Sequence, residues 1–146
     1  MPIDAIDMAL LTGQRPADVL KIRYVEIREG VLWVIPNKPG AWLGIEVTGE
    51  LAAAIARISG RPRLTISPYL TQDENGQPLT YFALRSWFDN AWELAKVSFQ
   101  IRDFRAKAET DADDLAHSQK LLAHENRSMT EQYIRNRVGV RVRPLR

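Results

Sequence analysis

The sequence predicts a mainly α domain carrying a small antiparallel β-sheet (α+β). Three observations lead there. Apolar residues recur at helical spacing through several long segments. A β-branched and aromatic run, Val31–Ile35, is followed by turn residues Asn37-Lys-Pro-Gly40 and a second run, Trp42–Val47, which together read as a hairpin. The 146 residues are 45% hydrophobic and 26% charged, enough apolar material for a core without any cysteine to staple it.

Asp4 to Leu11 reads as helix, with Ile6, Ala9 and Leu10 on one side, and Gly13 breaks it. Pro16 suits the first turn of a second helix to Ile22, because its missing N–H is not needed there. Gly30 ends the next turn and leads into the hairpin. Thr48 caps a helix running to about Ile58, with Glu50 in its first turn. Gly60 to Pro78 is loop-rich, with a short strand near Leu64–Ile66 and a polar turn at Asp73-Glu-Asn-Gly76. Thr80 starts a helix from Tyr81 to about Val97, with Phe82, Leu84, Trp87, Phe88, Ala91 and Leu94 as the expected core stripe. Arg102 to Thr110 starts or continues a helix, Asp111–Asp114 interrupts, and Asp114 to Ala123 is helical. Met129 to Asn136 is another helix, with Ser128 and Glu131 in capping-box spacing. Gly139 stops it, and Val140–Arg143 alternates like an edge strand.

Composition narrows the chemistry. Without cysteine there is no thiol nucleophile, disulfide framework or thiolate metal site, and with only His117 and His124 a histidine-rich metal site is not expected. The net charge is +2, yet only five of the twenty basic residues are lysine. Arginine is the residue for two-pronged phosphate contacts. From Arg127 onward there are six arginines against one acid, Glu131, which reads as a solvated tail or one that faces a polyanion. No apolar run approaches the ~18 residues of a membrane span. The start lacks the layout of a signal peptide, so a soluble, cytoplasmic protein is expected.

Polar and charged residues gather at five places: Arg15 in Thr12-Gly-Gln-Arg-Pro16, Lys38 on the hairpin, Arg102 and Arg105 one helical turn apart, His124, and Tyr133. Each has a plainer reading. Arg15 could pair with Asp18, and Lys38 could decorate a turn. Arg102 and Arg105 could pair with Asp103 and Glu109. His124 could cap a helix, and Tyr133 could be half-buried with a wet hydroxyl.

Their order carries more than any one of them. "LLTGQRPADVLKIRYVEI", "VLWVIPNKPGAWLGIEVTGEL", "IRDFRAKAETDA" and "LLAHENRSMTEQYIR" resemble, in sequence order, four boxes of the tyrosine recombinase (phage integrase) catalytic domain. These are the first arginine box, the hairpin with its following helix, the His-x-x-Arg box, and the Leu-Gly-His box leading to the nucleophile. The resemblance covers nearly the whole chain and implies the DNA breaking-rejoining fold.

It also implies the roles. Arg15 and Arg105 would clamp the scissile phosphate. Lys38 would protonate the leaving oxygen, Arg102 would stand at the usual first-histidine position, His124 would be the second histidine, and Tyr133 the nucleophile. Two departures from the family pattern are Arg102 for histidine and Ala123 where glycine is common. Arginine binds phosphate but is a poor proton acceptor. The implied activity is site-specific recombination through a 3′-phosphotyrosine, with double-stranded DNA as partner and self-association, as a tetramer, on it. No cofactor, metal, membrane or small-molecule substrate is implied.

The first arginine box begins near Leu10, so residues 1–146 are expected to be one catalytic domain without the family's core-binding and arm-binding domains. Such an isolated domain should bind DNA weakly and with steep salt dependence. The tail 138–146 could add a strand to its own sheet or be exchanged between protomers. The competing readings are a degenerate prophage remnant that only binds DNA, a type IB topoisomerase, and a helical interaction domain with accidental spacing.

Overall fold

The first helix is the element on which the other helices pack. The structure is a computed structural model that describes residues 1–35, 42–62, 66–101, 103–104, 107 and 140–144. Within these, α1 is Pro2–Thr12, α2 Pro16–Val19, β1 Ile27–Arg28, β2 Val31–Val34, β3 Leu43–Glu46, α3 Gly49–Ser59, α4 Tyr81–Ala95 and β4 Val140–Val142. A 3₁₀ turn, Tyr24–Glu26, leads into β1.

The sheet order is β1-β2-β3-β4. β1 and β2 pair antiparallel through Ile27↔Leu32, and β2 and β3 antiparallel from Val31↔Glu46 to Val34↔Leu43. The expected hairpin is therefore present, and its register puts Leu32 and Ile45 opposite one another, both fully buried. Two features go beyond the expectation. β1 joins through the two-residue turn Glu29-Gly30, whose φ values of 53° and 72° match the twist of a tight hairpin. β4 lies beside β3 in the same chain and runs parallel to it, Leu43↔Val140 to Ile45↔Val142, so the sheet is mixed at that edge. The close approach of Trp33 demands Gly44: a Cβ there would sit 2.9 Å from the indole ring.

The core lies between the sheet and the helices. Met8, Val19, Leu32, Ile45, Leu51, Leu70 and Leu84 are its most deeply buried members. α1 packs on α2, α3 and α4. The α1–α3 contact is reinforced by charge. Asp4, 1% exposed, accepts from Arg61 and lies 3.7 Å from Arg57, which also pairs with Asp7. A buried carboxylate is expensive without such partners.

The segment 66–80 has no long strand or helix but is held firmly. Leu70 N–H donates to the Ile22 carbonyl (2.8 Å) and Tyr24 N–H to that of Pro68 (2.9 Å). Asp73 Oδ1 accepts from the N–H groups of Asn75 and Gln77, which makes the expected polar turn. The strand expected near Leu64–Ile66 lies largely outside the described residues, and Ile66 itself is in no strand.

Two helix ends and one cap in particular differ from expectation. α2 stops at Val19 rather than Ile22, where turn hydrogen bonds replace the helical ladder. Thr48 holds the N-cap backbone geometry of α3 without a side-chain cap, whereas the Thr80 hydroxyl accepts from Ala83 N–H at 3.1 Å. α4 ends at Ala95 because Lys96 turns left-handed, with φ 53°.

The core stripe of α4 is also narrower than expected. Only Leu84 and Phe88 are buried, while Phe82 is 83% and Leu94 85% exposed, and Trp87 is exposed too. The helical period explains it. At about 100° per residue, Phe82 lies roughly 200° around the helix from Leu84, so both cannot face one core. The described residues contain no helix long and apolar enough to cross a membrane. The helices expected at 114–123 and 129–136 lie outside the described residues.

Candidate active site

Arg15 is the one predicted site residue that the structure describes, and its setting is built from both sides. α1 ends where Gly13 turns left-handed (φ 67°, ψ 6°) and its N–H closes on the Ala9 carbonyl at 3.0 Å. The buried Thr12 hydroxyl donates to the Met8 carbonyl at 2.6 Å. Gln14, also buried, donates its backbone N–H to Thr12 Oγ1 and its side-chain amide to the Thr12 carbonyl, both at 3.3 Å.

Arg15 then takes an extended N-cap conformation (φ −64°, ψ 142°), as a residue before proline should. Its carbonyl accepts from the N–H groups of Asp18 (2.8 Å) and Val19 (3.0 Å), the first bonds of α2. The side chain is exposed. The plainer expectation, a pair with Asp18, is not formed: Asp18 faces Lys21 at 3.9 Å, and among the described residues no ion pair involves Arg15. A guanidinium so placed is a planar, forked donor open to an external acceptor.

Lys38, Arg102, Arg105, His124 and Tyr133 lie outside the described residues. The surroundings of two of these positions are described. Lys38 belongs to the connection between the paired ends Val34 and Leu43 of β2 and β3. The arginine pair flanks Asp103-Phe104, which is firmly anchored. Asp103 N–H donates to the Gln100 carbonyl and the Asp103 carboxylate accepts from Gln100 N–H, both at 2.8 Å. Phe104 is buried against Phe88 and Phe99 in edge-to-face contacts, with centroids 5.6 and 5.3 Å apart.

Neither the bonded roles of Thr12 and Gln14 nor this aromatic cluster is expected from sequence. The one signal for the cluster is the spacing of Phe99 and Phe104 around an isolated apolar Ile101. Away from this region, on α4, the exposed Arg85 is held above its ordinary pKa by hydrogen bonding to Asp89 and by that carboxylate's charge. Among the described residues no group of three or more acids and histidines could hold a metal ion.

No protein-family model matches the chain. It is 23% identical over 141 residues to the integrase of Escherichia phage HK022, covering 88% of this chain and 40% of that protein. It is 26% identical over 148 residues to the prophage integrase IntE of Escherichia coli K12, covering 89% of this chain and 40% of that protein. The chain thus spans about 40% of the length of these relatives.

Among solved structures, the lambda integrase catalytic core superposes with a TM-score of 0.72 at 18% identity, over 85% of this chain and 83% of that one. A lambda integrase tetramer bound to a Holliday junction gives 0.75 at 17% identity, over 88% of this chain and 42% of that one. The Tn1549 transposon integrase in complex with circular intermediate DNA gives 0.63 at 16% identity, over 89% and 52%. The fold is that of an integrase catalytic core, and the sequence likeness to phage and prophage integrases agrees with the resemblance to the tyrosine recombinase (phage integrase) family.

Proposed function

We propose that this chain is the strand-cleaving part of an integrase, which breaks and rejoins double-stranded DNA through a 3′-phosphotyrosine. Supporting this above all is the likeness to the lambda integrase catalytic core over most of both chains, with Arg15 held at a helix entrance and exposed. The lambda structures bound to a core site and to a Holliday junction are dimers and a tetramer on DNA, and the same partner and self-association are proposed here. The site of action is then host DNA in the bacterial cytoplasm.

The chemistry follows from the residue types. The phenolic oxygen of Tyr133 attacks the scissile phosphorus, forming a new P–O bond. The bond from phosphorus to the 5′-oxygen breaks, and Lys38 delivers a proton to that leaving oxygen. Arg15, Arg105 and Arg102 carry charge that complements the phosphate oxygens as the transition state forms, and His124 hydrogen-bonds beside them. Because Arg102 cannot accept a proton, the phenol gives its proton to solvent water as the P–O bond forms. The phosphotyrosine keeps the bond energy, so attack by a 5′-hydroxyl reverses the step without ATP.

Arg102 in place of histidine favours one second reading, a remnant that binds DNA without cutting it. A nicked suicide duplex separates the two, since the short cleaved fragment diffuses away and traps the covalent intermediate. Capture by this chain that is lost in Tyr133→Phe, with binding retained, supports cleavage. Binding without any capture supports the remnant.

A further inference from the structure

We propose that Gln14 is a positioning residue for Arg15; the inference rests on Arg15 being a phosphate-binding arginine. The turn Thr12–Arg15 ends in a change of burial: Thr12 is 0% and Gln14 3% exposed, while Arg15 faces solvent. A carboxamide at such depth is costly unless it is bonded, and an apolar side chain would fill the space without that cost. What the amide adds is geometry.

Its Nε2 donates to the Thr12 carbonyl, its backbone N–H donates to Thr12 Oγ1, and that hydroxyl donates to the Met8 carbonyl. These bonds tie the residue before Arg15 to the last turn of α1, which is itself packed on α3 and α4. On the other side, the Arg15 carbonyl is fixed by the first bonds of α2. With its backbone held at both ends, Arg15 keeps only its own side-chain torsions as freedom. A charge-stabilising group displaced by about 1 Å can lose orders of magnitude in rate, so the gain from fixing this turn appears in the chemical step rather than in encounter. Gln14 touches no substrate and acts through Arg15.

The test is single-turnover capture of a nicked suicide duplex by the full chain as wild type, Gln14→Met, Arg15→Lys and the double variant, with Kd and unfolding midpoint measured alongside. Methionine keeps volume and burial and removes the amide donor. Gln14→Met should slow capture about tenfold while Kd for the duplex stays within about twofold, and should cause no further slowing once Arg15 is lysine, because residues acting as a unit are not additive. Should Gln14→Met fail to fold, Gln14→Leu, likewise apolar and without the Nε2 donor to the Thr12 carbonyl, carries the same comparison.

Capture at the wild-type rate in the Gln14 variant, or equal slowing with and without Arg15, overturns the inference while leaving the reading of Arg15 intact. Wild-type capture by Arg15→Lys, or no capture by the wild-type chain, overturns the reading of the site and this inference with it.

Discussion

Replacing Gly13 by alanine tests the turn that presents Arg15. Gly13 has φ 67° and ψ 6°, is buried, and donates its N–H to Ala9 at 3.0 Å. A Cβ in the left-handed region costs about 1–2 kcal/mol. If the chain relaxes instead, it gives up the closing hydrogen bond, about 0.5–1.5 kcal/mol, so either route lands near the same loss.

Gly60 supplies the control. It ends α3 with a right-handed φ of −79°, and a Cβ there would meet the Ala56 carbonyl at 3.3 Å. Gly60→Ala meets this close contact without any left-handed strain and should therefore lose less stability than Gly13→Ala. Urea unfolding with unchanged m-value reads the difference directly, and the thermal midpoint of Gly13→Ala should fall by about 2–8 °C. DNA capture should fall as well, because the strain sits two residues before Arg15. A Gly13→Ala protein as stable as Gly60→Ala would refute the claim that this turn requires a left-handed residue.

Leu84→Ala, at a fully buried position on α4, should lose about 2–5 kcal/mol in denaturant unfolding. Gly44→Ala drives a Cβ to 2.9 Å from the Trp33 ring and should cost about 1–3 kcal/mol by the same assay, accompanied by a change in tryptophan fluorescence. Arg15→Lys keeps the charge but loses the planar fork, so phosphodiester capture should fall roughly 10- to 100-fold with stability unchanged, as kinetics and a melting curve would show.

Much of this fold is legible in the sequence because local signals agree with tertiary need. The β-branched runs Val31–Ile35 and Trp42–Val47 with a turn-rich connection specify the hairpin, and Gly13 and Pro16 mark the end of one helix and the start of the next. The features that escape have physical reasons. The two-residue β1 is too short to show a period, and its turn places the non-glycine Glu29 at positive φ. β4 pairs with a strand nearly one hundred residues earlier, and nothing in its own alternation states a parallel direction.

The stripe on α4 is wider in sequence than in the fold because aromatic content masks phase: Phe82 and Leu94 are apolar but sit off the buried side. At the candidate site, Arg15 stands out through its company of Gly13 and Pro16. The inward role of Gln14 does not, since a buried glutamine reads in sequence as an ordinary polar turn residue. Lys38, Arg102, Arg105, His124 and Tyr133 are legible only as an ordered set.

The central claim is that Tyr133 becomes covalently joined to DNA. After capture of a nicked duplex, nuclease and trypsin digestion releases the peptide Ser128–Arg135, in which Tyr133 is the one tyrosine. Mass spectrometry should find that peptide carrying a nucleotide attached through phosphate to Tyr133. A protein–DNA adduct mapped to any other residue would contradict the account.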